Sequence, residues 1–155
     1  DPATKSTHCQ MNGYLPDHAC TPGSVFSNAT KEIICVSGYS KTVRKVSLTL
    51  RKKVYAAYNV MYPPPFGTYE LDHLIPLSLG GDNGFSNLSS VPAKPVPGFK
   101  EKDVVGNYLL DKVCKNQIAL SVAQEQIAND WVAIYYALTP DQILTLKRRY
   151  KSWAD

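Results

Sequence analysis

The stretch Glu70-Leu71-Asp72-His73-Leu74-Ile75-Pro76, followed by Gly80-Gly81-Asp82-Asn83 and then by Asn87-Leu88, decides how this chain is read. It sets a carboxylate beside an imidazole in an apolar run and returns an amide after a glycine turn. Tyr69 to Leu77 reads as a strand, Gly80 to Gly84 as dense turn chemistry, and Asn87 to Val91 as a second short strand. After a connector holding Pro92, Pro95, Pro97 and Gly98, the spacing of Val104, Val105, Tyr108, Leu109 and Val113 predicts an amphipathic helix ending near Cys114. The expected order is strand, turn, strand, helix.

Working outward, residues 1 to about 30 are rich in Pro, Gly, Ser, Thr and Asn and lack periodicity, which predicts an irregular arm tied down by a disulfide. Val46, Leu50, Val54 and Tyr58 recur at four-residue spacing, so a helix is expected there, ended by Pro63-Pro64-Pro65. Downstream, Ser121-Val-Ala-Gln124 is a capping-box pattern ahead of a stripe through Ile127, Trp131, Ile134, Tyr135 and Leu138. Thr139-Pro140-Asp141-Gln142 is a second, opening a basic terminal helix, so C-terminal helices are expected across residues 121–152. The fold class expected is α+β: one mainly helical domain over residues 1–155, around a hairpin-helix core at 69–114.

With 155 residues, 44% of them hydrophobic, the chain can bury one sizeable core. No apolar run reaches the roughly 18 to 20 residues that span a bilayer. The sequence starts Asp1-Pro2 with neither an initiator Met nor an apolar signal region, which reads as a signal peptide removed or never present. Cys9, Cys20, Cys35 and Cys114 show no C-x-x-C pair, a spacing that suits disulfides and a secreted or periplasmic home. Three pairings are open; Cys9 with Cys20 and Cys35 with Cys114 is the one favoured. His8 and His18 beside two of these cysteines do not make a standard zinc spacing.

The net charge is +4, unevenly spread. Between Ile33 and Tyr69 there is no Asp or Glu, while Lys41, Arg44, Lys45, Arg51, Lys52 and Lys53 cluster there, and Lys147, Arg148, Arg149 and Lys151 close the chain. A charge run by itself is a solvated face. Beside a candidate phosphodiester site it reads as a nucleic-acid surface, because neutralising phosphates supplies most sequence-independent affinity.

Phosphodiester hydrolysis needs an activated water, charge stabilisation on the phosphate and help for the departing oxygen. His73 can take the proton from water, and Asp72 offers a hard anionic oxygen to one divalent cation such as Mg²⁺. Adjacent strand residues point to opposite faces, so both reach one site only if the strand twists or frays. Asn87, on the returning strand, could complete the ligand set or orient His73, and Glu70 shares a strand face with Asp72.

These residues resemble the HNH, or His-Me finger, nucleases, in which a β-hairpin and a following helix (the ββα-metal unit) grip one metal ion. The resemblance extends to bacterial secreted-type HNH proteins through Cys20-Thr-Pro-Gly23, Ile34-Cys35-Val-Ser-Gly38-Tyr39-Ser-Lys-Thr-Val-Arg44, Lys102-Asp103, Val113-Cys114, Ala123-Gln124 and Asp130-Trp131, covering about residues 20–136. It implies a metal-dependent endonuclease, and the expectation taken from it is a monomer without sequence preference, with DNA favoured over RNA as the substrate. In it His73 is the general base, Asp72 a ligand of Mg²⁺, Mn²⁺ or another divalent ion, and Asn87 a ligand or a brace. Glu70, Lys100 and Lys102 support the site. Two positions depart from the pattern: Lys100 stands about where HNH motifs often place a third His or Asn, and Gly106 where similar chains carry Glu. These departures favour a rival reading, a secreted module that holds nucleic acid or another polyanion on an HNH scaffold with weak or no catalysis. A third reading, a toxin domain, predicts a neutralising immunity partner.

Overall fold

In the computed structural model, which describes residues 2–149, the chain forms six helices and two strands. In order these are α1 (Lys31–Ile34), α2 (Tyr39–Val43), α3 (Leu48–Ala57), β1 (Tyr69–His73), β2 (Leu88–Pro92), α4 (Phe99–Cys114), α5 (Leu120–Ala137) and α6 (Pro140–Arg149). The domain is α+β and mainly helical, as expected. Residues 150–152 of the expected terminal helix, Lys151 among them, lie outside the described residues.

β1 and β2 pair antiparallel, with Asp72 opposite Ser89 and His73 opposite Leu88. β1 stops at His73 rather than Leu77, and the hydrogen bonds show why. The Leu74 amide still donates to the Asn87 carbonyl at 2.8 Å, but the Ile75 amide is taken at 3.0 Å by the Asn87 side-chain Oδ1, and Pro76 has no amide to give. The chain then makes a single 3₁₀ turn at Leu77–Leu79 and reverses through the double glycine. Gly80 adopts φ +88, and a Cβ on Gly81 would lie 1.7 Å from the Ile75 carbonyl oxygen. Only glycine satisfies either position.

Two apolar clusters flank this hairpin. One, between α4 and α5, gathers Ile75, Leu79, Val105, Leu109, Val113, Ile127 and Trp131, the stripes expected for those two helices. The other sets Val54, Tyr55 and Tyr58 of the α3 region against Leu71, Leu88 and the Cys9–Cys20 disulfide. The second disulfide, Cys35–Cys114, ties the end of α1 to the end of α4, so the favoured pairing is the one formed. Both bridges fit a secreted or periplasmic protein. Among the described residues no helix is long and apolar enough to cross a membrane.

The arm before α1 is irregular but fixed. Asp17 accepts from the backbone amides of Gln10 at 3.1 Å and Ala19 at 3.0 Å. These bonds, the Gln10 amide first, hold its carboxyl below the usual Asp range despite partial burial. Thr21 Oγ1 shares a 2.6 Å hydrogen bond with the Tyr58 hydroxyl, and Thr21 also donates to the Leu88 carbonyl at 3.0 Å. Burial pushes the Tyr58 hydroxyl above the usual tyrosine range.

Helix boundaries show where local signals win. Thr139 and Gln142 cap α6 reciprocally, at 2.8 and 3.1 Å, as their spacing predicts. The Ser121–Gln124 box does not form. α5 begins one residue earlier, at Leu120, and Gln124 Nε2 instead donates to the Leu79 carbonyl at 2.8 Å, anchoring α5 beneath the hairpin turn. α4 begins at Phe99, five residues ahead of the aliphatic stripe, because Glu101 Oε1 accepts the Gly98 amide at 2.7 Å and Phe99 is buried.

Candidate functional site

A cavity of about 350 Å³ opens where the end of β1 faces α4. Glu70, Asp72 and His73 border it from the strand, Lys100, Asp103, Gly106 and Asn107 from α4, Ser40 and Arg44 from the α2 region, and Lys147 from α6. A second groove, of about 360 Å³, continues past His73 along Arg44, Lys45, Ser47 and Arg51. The open end of a two-stranded ribbon thus brings Asp72 and His73 to one cavity although they are neighbours in a strand.

The two side chains are held very differently. His73 Nε2 lies 3.0 Å from Asn83 Oδ1. The Asn83 amide is oriented by its other bonds, with Nδ2 donating to the Val43 carbonyl at 2.7 Å and Oδ1 accepting the Lys45 amide at 3.3 Å. Its Oδ1 can therefore only accept, so Nε2 carries the proton and the neutral ring has its basic lone pair on Nδ1. The sequence gives Asn83 no more than a turn role. Its part in the site depends on partners about forty residues away in the chain.

Asp72 is 6% exposed and faces a lysine. Lys102 Nζ, on a side chain 3% exposed, lies 2.9 Å from Asp72 Oδ2 and donates to the carbonyls of His73 at 3.0 Å and Leu74 at 2.9 Å. The contact with Oδ2 is ionic and is not aligned as a hydrogen bond. Lys102 is therefore not a side chain at the mouth of the site but a buried cation between α4 and the end of β1.

Asn87 is fully buried, and its amide is filled by the main chain. Oδ1 accepts from Ile75 at 3.0 Å and Ser24 at 3.4 Å, and Nδ2 donates to the carbonyls of Ile75 and Asp82, both at 2.9 Å. It braces the loop that follows His73. As arranged, Asp72 and Asn87 do not fit a metal ion as a ligand pair, since the first is matched to an ammonium and the second would have to surrender backbone hydrogen bonds. Among the described residues no three His, Cys, Asp or Glu side chains form a metal-holding group.

The remaining expected residues divide. Arg44 and Lys100 line the cavity, Lys45 and Arg51 the adjoining groove, and Lys41 lies in α2. Lys52 and Lys53 sit over the rings of Tyr62, at 6.0 Å, and Phe85, at 4.9 Å. Asp103 entered the sequence reading only within the Lys102-Asp103 match and Asn107 not at all; the signal that could have found both is their helical i, i+4 spacing beside Lys100. Comparisons with family models, with curated proteins and with solved structures return no match to this chain.

Proposed function

We propose that this protein is an HNH-type endonuclease, with the cavity between β1 and α4 holding the backbone of nucleic acid, DNA rather than RNA and without sequence preference. The observation that carries the reading is the histidine bordering the cavity, its ring fixed by Asn83, with Arg44, Lys100 and Lys147 set around the same space opposite the carboxylates of Glu70, Asp72 and Asp103. His73 takes a proton from water, the water oxygen bonds to phosphorus, and the ester bond on the far side breaks. The three cations offset the charge gathering on the phosphate oxygens. The resemblance also implies a divalent ion, which would supply Lewis-acid stabilisation of the phosphate; Asp72 and Asn87 are not assigned to it here.

Plasmid DNA and RNA incubated with the full chain in Mg²⁺, in Mn²⁺ and in EDTA provide the test. Conversion of supercoiled plasmid to nicked and linear forms is expected, and His73→Ala should lower the rate by about 10²–10⁴-fold, the usual worth of a general base. No cleavage of either nucleic acid in any of the three conditions overturns the reading. The buried pairing of Asp72 with Lys102 favours a second one, a secreted module that retains nucleic acid or another polyanion without cutting it. Salt-sensitive retention of intact DNA would select it.

A further inference from the structure

A lysine ammonium is a compact point charge with three donors. Three oxygens surround Lys102 Nζ: it donates to the carbonyls of His73 at 3.0 Å and Leu74 at 2.9 Å, and Asp72 Oδ2 lies 2.9 Å away as an ionic contact. One carboxylate and two main-chain carbonyls are also the donor types of a hard-cation site. We propose that Lys102 is the resident cation of this cleft, filling the place at Asp72 that a divalent ion would need, so that Asp72 does not ligate Mg²⁺ in this protein.

Exchange for a metal ion is opposed on both sides. A divalent ion at Asp72 would leave the ammonium, 3% exposed, without its counter-charge and facing a like charge in a low-dielectric interior. Mg²⁺ also sheds water reluctantly and demands octahedral oxygen geometry at about 2.0–2.1 Å, while two of the three oxygens here are already bonded to the lysine. Because Lys102 is carried on the buried face of α4, with Val105 and Leu109 in the core beside it, the cation is covalently tethered and needs no free-ion concentration to stay. Its occupancy of Asp72 is independent of whether the cleft hydrolyses anything. One consequence, cleavage that survives chelation, rests on the endonuclease reading.

The test follows the Asp72 side-chain carboxyl carbon by NMR in the ¹³C-labelled full chain during titration with Mg²⁺. In the wild-type protein the resonance should not move, whereas in Lys102→Met, which removes the charge and keeps a similar stem, it should show a saturable shift. A saturable shift at Asp72 in the wild-type protein overturns the proposal, as does its absence in a folded Lys102→Met variant. Should that variant fail to fold, the wild-type titration decides alone. Loss of all cleavage together with a silent Asp72 resonance would overturn only the endonuclease reading, and cleavage abolished by EDTA with Asp72 silent would place the required ion elsewhere in the cavity.

Discussion

The two sides of β1 present neighbouring residues to opposite kinds of surroundings. Towards α4, Asp72 meets a buried ammonium backed by the α4–α5 core. Towards the loops around Val43 and Asn83, His73 meets an amide held by main-chain atoms, beside a groove of Arg44, Lys45 and Arg51. A strand alternates its side chains between faces, so one backbone can fix a residue on one side while presenting the next on the other. The lesson is that the Asp-His pair, adjacent in sequence and bordering one cavity, is held from two sides: Asp72 by an ammonium of α4, His73 by an amide of the loop.

The largest expected effect breaks the α4 side. Lys102→Met leaves a carboxylate buried beside two carbonyls without donors, and removing one partner of a buried ion pair costs about 3–5 kcal/mol. Urea unfolding of the single variant should show a loss of that size. Asp72→Leu combined with Lys102→Met should lie closer to the wild-type protein than Lys102→Met alone, because replacing both charges removes the uncompensated one. A single-variant loss below about 1 kcal/mol would mean that the pair is solvated and the contrast between the two sides is overstated.

The loop side predicts the opposite balance of effects. Asn83→Ala removes the acceptor that fixes His73 Nε2 and the bond to Val43, both neutral and only partly buried, so stability should fall by no more than about 1.5 kcal/mol. Cleavage, under the endonuclease reading, should fall about 10–100-fold, since a base free to rotate loses its aligned geometry. Plasmid nicking rates measured beside a thermal melt separate the two. Unchanged nicking in the variant would assign Asn83 to the loop alone.

Sequence patterns made the helical framework legible wherever burial follows a stripe. Val54 and Tyr58 in the α3 region, Val105, Leu109 and Val113 in α4, and Ile127 and Trp131 in α5 are buried as their spacing predicts. α1 and α2, only four and five residues long, are too short to show a stripe and were not anticipated. Gln124 was misassigned because a tertiary acceptor, the Leu79 carbonyl, outcompeted the local cap. Within the site, Glu70 and His73 could be placed on one strand from local order, whereas Arg44 entered through the run of cations without acids and Lys100 through the HNH resemblance. The lysine on Asp72 and the asparagine on His73 could not. Each is a contact across 10 to 30 residues whose chemistry, a buried charge and a turn amide, carries no local periodic signature.

Gly106 gives the smallest effect, and it tests how firmly the α4 side is set. It is buried inside α4, borders the cavity, and a Cβ built there would meet Pro76 Cγ at 3.4 Å and Ile127 Cδ1 at 3.7 Å, ordinary contact distances. Since glycine in a helix interior costs about 0.5–1 kcal/mol relative to alanine, Gly106→Ala should stabilise the protein by about that much, read as a higher urea midpoint, with nicking unchanged. A destabilised variant would show that Pro76 and α5 already press on α4 at this point. The same geometry bears on the glutamate that the HNH resemblance would place here. Its first side-chain atom would rest against Pro76 and Ile127 at the cavity wall, so the alanine variant measures the packing that any side chain here meets first.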